Sequence, residues 1–200
     1  MASSIDTQMF DQLVSEIMNH PSNKEYGKLG LKPLFTASPN SKIVIVGQAP
    51  GKKAQESGVV WNDASGERLI SWLGINEETF RDPTTISHLP MDFYYPGKGK
   101  SGDLPPRPDF AKLWHEEIMK HMPAIELILL IGQYSQKYYL GKSRSYNLTE
   151  TVRNYNLYLP KYFPLVHPSP LNFRWFNNNR WYEKEVIPNL KTRVSQILRT

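Results

Sequence analysis

Ile43-Val44-Ile45-Val46-Gly47-Gln48-Ala49-Pro50-Gly51 is the stretch whose reading decides the fold. Four β-branched residues in a row end at once on two glycines and a proline. A continuous apolar run bounded by turn residues suits a strand buried on both faces, as in a parallel sheet. Leu127-Ile-Leu-Leu-Ile131 has the same form and empties into Gly132. Tyr162 to Val166 empties into His167-Pro168-Ser169-Pro170, and Met91 to Tyr95 is a further candidate strand ahead of the Pro-rich stretch 96–108.

Helical patterns separate these runs. Asp6 to His20 carries apolar pairs at Met9/Phe10, Leu13/Val14 and Ile17/Met18, one face of an amphipathic helix that Pro21 stops. Residues 21–41 read as an extended surface connection. Ser65 to Leu73 buries Leu69, Ile70, Trp72 and Leu73, and Asn76 caps a short turn. Asp109 caps a helix to about His121 with Leu113, Trp114, Ile118 and Met119 inward. Gly132 to Tyr139, the turn Thr149 to Asn154, and a last helix from about Asn178 to Leu198, bent near Pro188, complete the set. Alternating strands and helices predict an α/β fold: a single-domain three-layer α/β/α sandwich around a central, mostly parallel sheet of about four strands. The first 41 residues supply a helix and a connection, and residues 42–200 the core. In such sheets ligands bind beyond the carboxyl ends of the strands.

Composition narrows the chemistry. The 200 residues include no cysteine, so disulfides, thiolate zinc sites, iron–sulfur clusters and cysteine nucleophiles are excluded. No apolar run approaches the ~18 residues of a membrane span. The first residues lack the basic patch and apolar stretch of a secretory signal, so a cytoplasmic protein is expected. Residues 151–200 hold 8 basic and 2 acidic side chains, against 16 and 17 in the rest. That asymmetry fits either a polyanion-facing end or a solvated terminal helix.

Four loops carry candidate chemistry. The 47–51 turn lets backbone amides approach a ligand closely, but it has neither the Gly-Lys-Ser/Thr of a Walker loop nor Gly-x-Gly-x-x-Gly. His167, set between a buried strand and Pro-Ser-Pro, has the rigidity that catalytic geometry needs. Trp61-Asn62-Asp63-Ala64-Ser65-Gly66 offers an aromatic face to stack on a planar ligand, whereas Asp63, read from this loop alone, is better suited to cap the next helix, as Ser65 also could. The aromatics and cations of Arg174 to Tyr182 suit stacked bases and phosphates, although at least one Trp is expected to pack on the sheet.

Taken together, Gly-Gln-Ala-Pro-Gly after the first strand and His-Pro-Ser-Pro-Leu-Asn after the last resemble the two signature motifs of the uracil-DNA glycosylase superfamily, in a cysteine-free, bacterial-type form. Trp61 to Leu69 resembles the segment that follows motif 1 in the thermophile-type branches, and Phe93 to Pro108 sits at their Pro-rich loop. The order of these pieces matches from about residue 40 to 195. The resemblance implies an enzyme that flips a damaged nucleotide out of DNA and hydrolyses its N-glycosidic bond.

The same resemblance implies roles residue by residue. His167 stabilises the departing base. Gln48 positions water, and Asp63 substitutes for the missing motif 1 acid, because Ala49 stands where many relatives carry Asp or Asn. The base is held by Gly47, Ala49, Pro50, Gly51 and the stacking Trp61, with Asp92 or Met91 near the position of the base-reading Asn. Leu171, Asn172 and Phe173 match the minor-groove wedge, and Lys98, Lys100, Arg107, Ser169 and Arg174 are expected on the DNA backbone. The thermophile-type branches hold an iron–sulfur cluster on four cysteines; this chain has none, and no cofactor or metal is implied. The expected partner is DNA, with the protein a monomer and no membrane contact. Two further readings are a non-catalytic nucleic-acid- or base-binding protein of the same fold and an enzyme acting on free nucleosides. The basic end and the Leu-Asn-Phe wedge argue against the last.

Overall fold

The computed structural model describes residues 4–100, 102–145 and 147–199. The Met1-Ala2-Ser3 terminus and Ser101 of the basic loop lie outside them. Four strands, β1 (Ile43–Val46), β2 (Ile86–His88), β3 (Leu127–Ile131) and β4 (Tyr162–Leu165), form one sheet in the order β2-β1-β3-β4. All three pairings are parallel, with Ile45 opposite His88 and Leu129, and Ile131 opposite Leu165.

Because side chains alternate along a strand, the two faces of the sheet feed two separate cores. Ile43, Ile45, Ile86, Leu127, Leu129, Ile131, Phe163 and Leu165 point to one, and Val44, Val46, Ile128 and Leu130 to the other. Each fully buried aliphatic side chain contributes about 1.5–3 kcal/mol, so neither face tolerates exposure.

The helices close both faces. In chain order they are α1 (Ser4–Asn19), α2 (Lys24–Lys28), α3 (Lys52–Ser57), α4 (Ala64–Leu73), α5 (Glu77–Arg81), α6 (Phe110–Met119), α7 (Gly132–Leu140), α8 (Leu148–Arg153), α9 (Phe173–Asn178) and α10 (Ile187–Arg199). The first core is covered by α4 through Leu69, Trp72 and Leu73 and by α10 through Leu190, Val194 and Ile197. Leu13 and Ile17 of α1 and Phe110, Trp114 and Ile118 of α6 cover the second. No helix among the described residues is long and apolar enough to cross a membrane.

Several sequence expectations need correcting. The second strand is Ile86–His88, not Met91 to Tyr95. Pro90 has no amide to give, so the ladder ends there. The chain still runs beside the 47–51 loop, with Met91 N–H donating to the Gly47 carbonyl at 2.9 Å and Asp92 N–H to the Gln48 carbonyl at 3.2 Å. Met91, Phe93 and Tyr94 are buried from a loop, which gives that stretch a strand's composition without its pairing. Asp109 precedes α6 but sits at φ +60° and its side chain makes no cap; Leu113 is half exposed, and Phe110 takes the inward position instead.

The 21–41 connection contains a 3-10 turn and α2, and Asn23 within it is fully buried. Residues 52–57, between the 47–51 turn and Trp61, form α3. The last helical region is broken: α9 ends at Asn178, and a π-helical turn over Tyr182–Val186 leads into α10. Pro188 lacks the N–H that a regular helix would use there, which accounts for the wider turn ahead of it.

Besides the packing of Leu13 and Ile17 into the second core, one cation ties the N-terminal segment to the rest. Arg107 is bidentate to the buried Asp92, with Nε 2.7 Å from Oδ2 and Nη2 2.8 Å from Oδ1. Its Nη1 donates to the Ser22 carbonyl at 2.8 Å and to Asn23 Oδ1 at 2.7 Å. The guanidinium also lies over Phe110 at 4.4 Å and Tyr26 at 4.9 Å. Removing one partner of such a pair strands a buried charge. Arg107→Met is therefore expected to cost about 3–5 kcal/mol in urea unfolding, far above the ~0.5 kcal/mol of an ordinary surface change. A loss under 1 kcal/mol would show that Arg107 is not the clamp.

Candidate active site

The site begins where β1 ends. A Cβ on Gly47 would come within 2.9 Å of Trp61 Cζ2, so the missing side chain is the space the indole occupies. Trp61 itself has φ +53°, a left-handed conformation that a bulky residue adopts only under constraint. The constraint is close packing: its carbonyl oxygen lies 1.9 Å from where a Cβ on Gly66 would sit. Gly66 is thus required for the turn that presents Trp61. Asp63 starts α4, its Oδ1 accepting from Ser65 N–H at 2.9 Å and Gly66 N–H at 3.0 Å. Its Oδ2 faces the 47–51 loop, 3.8 Å from the Cβ position of Gly51.

His167 follows β4 and approaches Trp61, ring centroids 5.7 Å apart. Ser169 N–H donates to its Nδ1 at 3.2 Å, which uses the lone pair there and leaves the neutral ring's proton on Nε2. Asn172 Nδ2 donates to the His167 carbonyl at 2.9 Å, and Ser169 Oγ accepts from Leu171 N–H at 3.2 Å. Two prolines and these bonds leave the imidazole little freedom. Burial lowers the His167 pKa below its ordinary value, while the charges of Asp63 and Asp103 pull it back up.

One cleft of about 490 Å³ unites most of the residues read from the sequence. Its lining includes Gly47, Gln48, Ala49, Pro50, Gly51, Trp61, Asp63, His167, Lys98, Ser169, Leu171 and Asn172. A smaller hollow of about 250 Å³ shares Gln48, His167 and Asn172 and runs toward Gly132, Tyr134 and Trp175. Nine further residues line it, and two of the polar ones, His88 and Asp103, were not singled out by the sequence reading. Asp103 belongs to a hairpin in which Lys98 and Asp103 bridge and Gly99 N–H donates to the Gly102 carbonyl. The spacing of Gly97, Gly99 and Gly102 is the signal that would have marked it.

Other residues sit elsewhere. Asp92 and Arg107 do not line the cleft; each satisfies the other, because an unpaired charge at that depth is costly. Gln48 Nε2 donates to the Leu104 carbonyl at 3.0 Å and so ties the hairpin to the 47–51 loop. Lys100 is exposed on the hairpin, and Arg174 lies over the Phe173 ring at 5.8 Å, outside the cleft lining. Trp175, Phe176 and Trp181 pack against the first core, where Trp175 Nε1 donates to Thr149 Oγ1 at 2.9 Å. These aromatics are packed on the core and lie outside the main cleft, with Trp175 also bordering the smaller hollow.

The family model described as the uracil DNA glycosylase superfamily matches residues 35–191, from ahead of β1 into α10. The chain belongs to that superfamily. The cleft now has its family context: the Gly47–Gly51 and His167–Asn172 loops both fall inside the matched span and meet at the carboxyl ends of the strands. Membership carries a DNA-glycosylase-like function in general terms.

Gly66 offers a test of this geometry. Gly66→Ala must displace the Trp61 carbonyl, and overpacking of this kind costs about 1–3 kcal/mol. A misplacement of ~1 Å costs about 100-fold in a positioned reaction. The variant is expected to melt lower and to lose most cleft-dependent activity, whereas Gly27→Ala, in open space and at an ordinary helical backbone conformation, should keep that activity. Unchanged melting and near-ultraviolet circular dichroism would disprove the tight packing.

Proposed function

We propose that this cleft excises uracil or another deaminated base from DNA by monofunctional hydrolysis of the N-glycosidic bond, as in base excision repair. The observation that carries the reading is His167, whose Nδ1 is occupied by Ser169 N–H so that Nε2–H is left as a donor. A flipped base stacked on Trp61 would present its ring oxygen to that donor. As the C1′–N bond breaks, its electron pair passes to the base, and a hydrogen bond aimed at the developing charge is the largest catalytic contribution available. Water then bonds to C1′ and releases a proton.

Two carboxylates lie close enough to His167 to influence its charge, Asp63 and Asp103, and both line the cleft. One oxygen of Asp63 is committed to α4, and Oδ2 is the one turned toward the 47–51 loop. Ala49 supplies no acid. The proton of the attacking water therefore goes to Asp63 or Asp103. Gln48, engaged with Leu104, holds the hairpin that brings Asp103 over the cleft.

DNA would approach Leu171, which lines the cleft, and Phe173, two residues further on; they are 82% and 57% exposed. Large apolar side chains left in water at the mouth of a base-sized cleft suit a wedge that fills the gap behind a flipped nucleotide. Lys98, Ser169 and Asn172 line the same cleft as Leu171, with Lys100 two residues from the first and Arg174 two from the last, a set placed to serve the phosphates. The second reading, a non-catalytic binder of bases or nucleic acid, is favoured by one observation alone, the methyl group of Ala49 in place of an acid.

Base release from single- and double-stranded oligonucleotides carrying uracil, hypoxanthine or xanthine, with alkali to reveal abasic sites, tests the proposal. His167→Ala should lower the rate by about 10²–10³. The active form is neutral His167, and burial depresses its pKa, so the rate should hold below the ordinary histidine value and fall only at more acid pH. Asp63→Asn keeps a capping oxygen but removes a charge that raises the His167 pKa, so any residual activity should lose its acid limb at still lower pH. DNA bound with no base released from any substrate would establish the binding protein instead.

A further inference from the structure

Ala49 leaves the 47–51 loop without an acid, and the two carboxylates that line the cleft, Asp63 and Asp103, differ in what else they do. Asp63 starts α4, where its Oδ1 takes the N–H groups of Ser65 and Gly66. A carboxylate in that place also meets the positive end of the helix. A proton taken up there would withdraw charge from the helix start at every turnover. Asp103 supports no helix. Its Oδ1 receives one bond, from Tyr95 Oη at 3.3 Å, and its Oδ2 has no hydrogen-bond partner among the described residues. Asp103 is exposed, and its charge acts on His167.

An exposed residue can serve a reaction only if its backbone is held, and this one is. Both legs of the 97–104 hairpin are anchored. Tyr95 N–H ahead of it donates to Gln55 Oε1 at 2.9 Å. Arg107 beyond it is bound to Asp92 through its backbone N–H, at 3.1 Å, as well as its guanidinium. Between these anchors Leu104 N–H returns to the Gly97 carbonyl at 2.9 Å, and Lys98 bridges to Asp103. The Leu104 side chain lies 3.5 and 3.4 Å from where Cβ atoms on Gly97 and Gly99 would sit, so both glycines make room for it. The Gln48 bond to the Leu104 carbonyl then fastens the residue next to Asp103 onto the 47–51 loop.

We propose that Asp103, from outside both motif loops, is the base that takes the proton of the attacking water, and that Gln48 positions it by holding the hairpin at Leu104. The inference rests on the base-excision reading above and chooses between its two carboxylates. In this step the water oxygen bonds to C1′ while the C1′–N bond gives its electron pair to the base. The water O–H that breaks sends its proton to Asp103 Oδ2, and the departing base accepts a hydrogen bond from His167 Nε2–H. Asp103 then returns the proton to solvent, from which the base anion takes one up. Asp63 keeps its hold on α4 throughout.

The experiment measures single-turnover base release, from the oligonucleotide that the wild type cleaves fastest, for the wild type, Asp103→Asn, Asp103→Ala and Asp63→Asn, with DNA affinity and melting alongside. Asp103→Asn should slow the chemical step by about 10²- to 10⁴-fold, the scale of general-base assistance, with DNA still bound and melting unchanged. Asp63→Asn should lose less. Added anions separate a base from a mere charge in Asp103→Ala: acetate should rescue more than the less basic formate, and chloride not at all. Gln48→Leu should slow the same step, and the double variant Gln48→Leu/Asp103→Asn should be no slower than Asp103→Asn, since one acts through the other. Asp103→Glu, which keeps the carboxylate, should recover part of the rate. Near wild-type release by Asp103→Asn, a larger loss in Asp63→Asn, or equal rescue by all three anions would overturn the assignment while leaving excision standing. If the wild type releases no base from any substrate, the excision reading fails and takes the assignment with it.

Discussion

A four-stranded parallel sheet covered on both faces leaves one place for chemistry. Every strand residue except Tyr162 is buried, and the helices on either side exclude water from both cores. Backbone that leaves the sheet at its carboxyl edge is the first that can meet a ligand. Gly47, His88, Gly132 and His167 all stand at that edge, one after each strand or at its end, so the order β2-β1-β3-β4 sets their sequence across the cleft. The cleft is a consequence of the topology. Its chemistry comes from which residues the chain places at those four exits.

Holding those residues requires local compromises that the surrounding packing must over-determine. Trp61 keeps a left-handed backbone because Gly47 and Gly66 make room on both sides of it. Asp63 serves the start of α4 with one oxygen and the cleft with the other. His167 is aimed by the backbone of its own Pro-Ser-Pro loop and by Asn172. Histidine plays different parts according to its second partner. His115, between the Pro90 carbonyl and the Tyr139 hydroxyl, has both ring nitrogens satisfied and belongs to the core. His88 has one nitrogen satisfied and the other without a hydrogen-bond partner among the described residues.

The two motif loops were legible because each follows a strand whose composition declares itself. Ile43 to Val46 ahead of the first and Phe163 to Val166 ahead of the second are apolar at every position, as double burial demands, and the residues after them can be read as strand exits. β2 was not legible. Ile-Ser-His offers one apolar residue in three, yet all three are buried, since Ser87 donates to the Pro83 carbonyl and His88 bonds to that of Phe80. Polar side chains satisfied by distant backbone carry no mark of burial in the sequence. Misplacing that strand by five residues hid His88 and promoted Asp92, and the same blindness to pairing made Arg107 look free for phosphate.

The sequence by itself determined the α/β class, the two loops that meet in the cleft, the absence of any thiol chemistry and the superfamily, because strand hydrophobicity, turn residues and short motifs are local properties. Tertiary structure alone decided which polar side chains are spent on one another and which remain for a ligand. Arg107 is consumed by Asp92 and Asn23, Gln48 by Leu104, and half of Asp63 by its helix. A hydrogen-bonding group is defined by its partner, and these partners lie up to 84 residues away in the chain. Only folding brings them within reach.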